Sequence, residues 1–109
     1  MILLIAANYR YVNTVADEMN EIALSLDISN PEKCEEQISL IEEIWKKSEA
    51  VFSLSVNFKE TDHLGETILA LKAAYKSGST EEFEKSRELL IDAIDGVSRL
   101  ERFSMINIL

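Results

Sequence analysis

Apolar positions fall at three- and four-residue steps over four stretches of this chain. Val12, Val15, Met19, Ile22 and Leu26 lay one stripe along a helix that covers about residues 2–26, while Asp17, Glu18 and Glu21 occupy other faces. "DISNPE" stops it, with Asn30 as cap and Pro31 at the first helical position, where a missing N–H costs nothing. From about Pro31 to Ser55, a heptad-like seam of Cys34, Ile38, Ile41, Trp45, Ser48, Phe52 and Ser55 is broadened by Ile44 and Val51. "NFKETDH" breaks the pattern and predicts a loop, after which Thr61 or Asp62 caps a third helix. That helix turns Leu64, Ile68, Leu71, Ala74 and Tyr75 inward and ends near Ser77, because Gly78 accepts the left-handed conformation of a helix C-terminus. Ser79-Thr80-Glu81-Glu82 reads as a capping box, and Phe83, Leu90, Ala93, Ile94, Val97 and Leu100 carry the fourth stripe to about Arg102.

Four amphipathic helices with short connections predict an all-α fold. The economical arrangement is an antiparallel bundle of about four helices whose first two form a long N-terminal helical hairpin. Three Gly and one Pro in 109 residues leave too little turn punctuation for a sheet protein, and the length suits one domain. Glu81, Glu82 and Glu84 open the fourth helix and Arg99 and Arg102 close it, an order that suits the helix dipole. Gly65 and Gly96 stand alone in their stretches, and Gly96 is expected to permit close helix packing.

Charge narrows the classes of partner. Twenty acidic residues against eleven basic ones give a formal charge of −9, so nucleic acid is not expected, because phosphate binding needs a basic patch. Most of the acidity reads as solvated helix faces; a basic partner or loosely held cations are the minority reading. Glu60-Thr61-Asp62-His63 has the E-x-x-H spacing of di-iron bundles, but those sites need two such motifs and this chain has one histidine. Cys34 and His63 are the only Cys–His pair, no third residue is marked to orient them, and Cys34 belongs to the second seam as a small core residue. Nucleophile elbow, phosphate loop and dinucleotide fingerprint are all missing from the sequence. The expectation is therefore no enzyme, no cofactor, and no catalytic or metal-ligating residue.

The two ends are more apolar than the middle. Residues 2–7 are aliphatic or small, and Tyr9, Arg10 and Tyr11 follow, the order found where a helix leaves a bilayer. Residues 1–11 accordingly read as the C-terminal stub of a membrane anchor continuous with helix one, and residues 12–109 as a single helical domain. Six apolar residues fall far short of the ~20 that span a bilayer; in the competing reading Ile2, Leu3 and Ile5 extend the core stripe. No Lys follows until Lys33, which permits an arrangement with the domain outside the cell. At the other end, Phe103, Met105, Ile106, Ile108 and Leu109 form a candidate interaction surface. Their segment is expected to fold back over a groove near the corner of helices two and three, close to Phe58 and Leu64, or else to dock on a partner.

Trp45 mid-helix, "VFSLSVNF" leading to His63, "TILALKAAYKSG" and the ending "LERFSMINIL" together resemble the bacterial family catalogued as domain of unknown function 4363, over about residues 17–109. The resemblance implies a small helical protein of Gram-positive, spore-forming lineages, commonly with an N-terminal membrane helix and with no assigned activity. It carries no functional residues over, and the front of this chain departs from it by holding only a fragment of such a helix. The resulting expectation is a non-catalytic, single-pass membrane-tethered, extracytoplasmic module that binds a protein partner. The alternative is a soluble cytosolic helical protein whose apolar ends close its own core, where an enzyme or metal site around His63 would need Cys34, His63 or the acids to converge.

Overall fold

The computed structural model describes the backbone of residues 2–55 and 58–108 and the side chains of residues 10–52 and 59–99. Four helices follow one another: α1 (Ile2–Ser25), α2 (Pro31–Ser55), α3 (Phe58–Ser77) and α4 (Thr80–Ile108). No strand occurs among the described residues. Each helix packs on the next, and α4 packs back on α1, which closes a four-sided ring. Side-chain ties show that neighbours run antiparallel. Tyr11 reaches Ser48 near the start of α1, and Gln37 donates to Ser25 at its end. Tyr75 and Phe83 meet edge to face at 6.4 Å across the α3–α4 corner, and Ser98 Oγ donates to Asn13 Oδ1 at 2.9 Å between α4 and α1. The bundle measures 47 × 20 × 19 Å; α4, 29 residues long, spans about 43 Å of that axis at 1.5 Å per residue.

The core follows the periodicity. Val12, Met19, Cys34, Ile41, Phe52, Leu64, Leu71, Phe83, Leu90 and Val97 are all fully buried, as their places in the four stripes require. Ile22, Ile44, Val51 and Tyr75 sit half-buried at the edge of the same cluster. Ser48, the polar member of the α2 seam, is buried because its hydroxyl is satisfied: it donates to the Ile44 carbonyl at 2.7 Å and accepts from Tyr11 at 3.4 Å.

The corners are built from local polar chemistry. At the first, Asp27 Oδ1 accepts from both the backbone N–H and the hydroxyl of Ser29, at 2.9 and 2.7 Å, an Asx turn. The Asn30 carbonyl then takes the first helical bond, from Cys34 N–H at 2.9 Å, so Asn30 is the cap residue and Pro31 opens α2. Arg87 on α4 donates to the Leu26 carbonyl at 3.2 Å and closes the end of α1. At the corner between α3 and α4 Gly78 has φ +77°, and Ser79 Oγ accepts from Glu82 N–H at 3.2 Å. Only that half of the capping box forms, since the Glu82 carboxylate accepts from Ser77 Oγ and the Ser79 N–H turns to Ser77 Oγ instead.

Three expectations need correction. The segment "NFKETDH" is helical from Phe58 onward, so Thr61 and Asp62 lie inside α3 and are not its caps. Thr61 is 1% exposed; it continues the buried row of Leu64, Ile68 and Leu71 one turn earlier, and a polar residue in an apolar row hid that turn from the pattern. At the far end α4 runs unbroken through Ile108, so the chain does not turn back after Arg102. Neither Gly nor Pro follows Gly96 to stop it. The side chains of Phe103, Met105, Ile106 and Ile108, and all of Leu109, lie outside the described residues. The backbone places the start of α1 and the end of α4 at the same end of the bundle, because the two helices are antiparallel neighbours. Finally, a Cβ placed at Gly96 meets nothing within 4 Å, so this glycine makes no close helix contact.

The glycines give opposite expectations on substitution by alanine. Gly96→Ala should raise stability by about 0.5–1 kcal/mol, since helical alanine loses less backbone entropy than glycine and space is open. Gly78→Ala should lower it by about 1–2 kcal/mol, because a Cβ disfavours the left-handed conformation. Urea denaturation of both variants checks the pair; a loss at Gly96 would mean that α4 is tighter there than the structure has it.

Candidate functional site

α2 packs less closely on its two neighbours than α4 does on its own. Two hollows open along the seam between α2 and α3. The upper one, beside the two corners, holds about 990 Å³; Ile28, Pro31, Ile38 and the Tyr75 ring form its apolar part, and Glu35 and Lys76 stand at its rim. The lower one holds about 420 Å³ over Trp45, Gly65, Ile68 and Leu69, rimmed by Glu49, Asp62 and Glu66. Glu42 lines both hollows and pairs with Lys72 across the seam at 3.2 Å. Both partners keep some exposure to water, so this bridge holds the helices together by no more than about 1 kcal/mol. The Tyr75 hydroxyl donates to the Pro31 carbonyl at 3.0 Å, a second tie between the helices. Burial, with the charge of Glu35 and the neighbouring Cys34 adding to it, pushes the Tyr75 phenol up, which keeps it a neutral donor.

Trp45 forms part of the floor of the lower hollow. It is 7% exposed, and its ring meets Phe52 edge to face at 5.3 Å and 85°. Gly65 lies against its nitrogen edge: a Cβ there would stand 3.3 Å from Nε1. The close approach expected of Gly96 therefore belongs to Gly65. Glu35, Glu42 and Glu49, seven residues apart, form one row along the α2 lip of the groove.

The candidate chemical groups are dispersed. Cys34 is buried near the start of α2, and burial, with the charge of Asp27 adding to it, pushes its thiol up and disfavours the thiolate. His63 is exposed near the start of α3, at the opposite end of the bundle, in a shallow hollow with Lys59, Glu60, Asp62 and Glu66. The structure does not bring Cys34 and His63 together. No group of three or more His, Cys, Asp or Glu side chains is placed to hold a metal ion among the described residues. The groove itself was missed by sequence reasoning. Its one signal was the heptad row of glutamates, which periodicity alone assigns to a solvated face.

Two measurements bear on these groups. The hydroxyl and backbone N–H of Ser29 hold the Asp27 carboxyl below the ordinary aspartate range, helped by the charges of Arg87 and Lys33. A carboxyl whose folded pKa is depressed favours the fold above its unfolded pKa, and that contribution is lost as pH falls through the folded one. Ser29→Ala should therefore raise the Asp27 pKa toward the ordinary value in an NMR titration, with the change in stability confined to pH values above the folded pKa. For metals, titration of the native chain with zinc should show no stoichiometric submicromolar binding; such binding, lost in His63→Ala, would establish a site at the start of α3.

No curated protein and no solved structure matches this chain. The sequence pattern of the family described as domain of unknown function (DUF4363) matches residues 5–108, almost the whole length, and the chain belongs to that family.

Proposed function

We propose that this chain is a non-catalytic helical module that binds a protein partner, tethered through its N-terminal segment to the outer face of the cell membrane in its parent protein. The observation that supports partner binding is the groove between α2 and α3. It is open to solvent, its floor is apolar and its rim is charged, the surface character that suits a helical or extended segment of another protein. Separation of Cys34 from His63 by most of the bundle favours binding over catalysis, because a nucleophile and its base must lie within hydrogen-bond reach. The tether rests on the aliphatic residues 2–7 followed by Tyr9, Arg10 and Tyr11. No helix among the described residues is long and apolar enough to cross a membrane, so the tether requires a longer apolar segment in the parent protein.

A photo-crosslinking residue in place of Leu69, at the groove, should give a discrete adduct in the cells of origin, and the same residue in place of Leu89, on the exposed face of α4, should not. Equal labelling at both positions, or none at either, would remove the partner-binding reading. Fractionation of the natural gene product tests the tether separately. It should sediment with membranes and need detergent for release; recovery in the soluble fraction would overturn the tether and leave the groove untouched.

A further inference from the structure

We propose that the lower half of the α2–α3 groove docks a basic, amphipathic helical segment of the partner. This rests on the protein-binding reading and names the surface and the chemistry it recognises. The charges select the occupant. Glu42 and Glu49 stand on the α2 lip, and Asp62 and Glu66 stand on the α3 lip. Lys46 is the one basic side chain among the described residues that line this hollow, and Lys72, just above, is already engaged with Glu42. Glu49, Asp62 and Glu66 therefore face the opening from both sides beside the engaged Glu42; an acidic segment is repelled there and a basic one is complemented. The upper half differs: there Lys72 and Lys76 of α3 oppose Glu35 and Glu42 of α2. Those lysines repel a basic segment and set the boundary of the site.

The apolar part of the hollow makes the segment amphipathic. Leu69 is 64% exposed at the rim, a large aliphatic side chain set among acids. Beside it lie Ile68 and the edge of Trp45, against which Gly65 packs. Glu42 and Glu49 are two helical turns apart, about 10 Å, and Asp62 and Glu66 are one turn apart on the facing helix. A helix lying along the groove meets these charges when Lys or Arg recurs at three- and four-residue steps beside a leucine row, the recurring mode of helix-in-groove recognition.

A synthetic leucine–lysine amphipathic peptide is the probe, and its counterpart with glutamate for lysine is the control. Trp45, the single tryptophan, is a built-in reporter at the groove floor. The basic peptide should bind the full chain saturably and shift Trp45 emission, and the acidic peptide should do neither. The double variant Glu49→Lys/Glu66→Lys should weaken binding by about tenfold or more, while Asp17→Lys/Asp92→Lys, which changes net charge equally on α1 and α4, should stay within about twofold. Leu69→Asp, at an exposed position that the fold does not need, should also weaken binding; it decides the matter if the charge-reversed groove variant loses its circular-dichroism signature. Equal weakening by both charge variants, an unmoved Trp45 emission or binding of the acidic peptide would each overturn the proposal. A Leu69 crosslink in cells together with any of those results would sink the basic segment alone and keep the protein-binding reading.

Discussion

Burial of the α4 stripe between α1 and α3 is the constraint on which the rest of the bundle depends. Phe83, Leu90, Ile94 and Val97 are all buried, and the contacts of α4 with both neighbours are the closest in the ring. Each such side chain contributes about 1.5–3 kcal/mol when removed from water. The surface ion pairs Lys47–Glu43 and Arg99–Asp95 are each worth about 0–1 kcal/mol at most. Apolar burial along α4 therefore decides the arrangement, and charge decorates it.

A ring of four helices closes only if every helix finds two neighbours. With α4 drawn tightly against α1 and α3, α2 completes the ring with less contact, and the two hollows lie on its α3 side. That seam shares the buried core of Ile38, Ile41, Trp45, Leu64, Ile68 and Leu71, and specific pieces tie it at the surface: Lys72 to Glu42, Tyr75 to Pro31, and Gly65 against the Trp45 indole. Between these ties the helices part enough to leave two hollows. The two hollows make the seam accessible, and the glutamates of α2 and the acids of α3 surround what it exposes.

The chain belongs to a family described as a domain of unknown function, and its two most reactive side chains lie far apart. Cys34 is held in the core with its thiol form favoured, and His63 stands in water at the other end. Polar groups inside the bundle have structural work: Ser48 binds the Ile44 carbonyl, and Thr67 donates to the Leu64 carbonyl at 2.7 Å. These are local hydrogen bonds that let small polar side chains occupy apolar rows.

Periodicity, caps and breakers determined the all-α class, the four helices, their order, the bounds of α2 and nearly all of the core. They could do so because a helix has one buried face, and its residues recur at 3.6-residue steps whatever lies opposite. The pattern failed where a polar residue holds an apolar position, as Thr61 does at the start of α3. It failed again where an apolar ending resembled a separate segment but continued α4. Tertiary structure alone decided which faces meet and how tightly. Gly65 and Gly96 look alike in sequence, yet one borders Trp45 and the other borders open space. The groove between α2 and α3 exists only in that relation, because the gap between two helices depends on the side chains of both and on the other two helices that hold them.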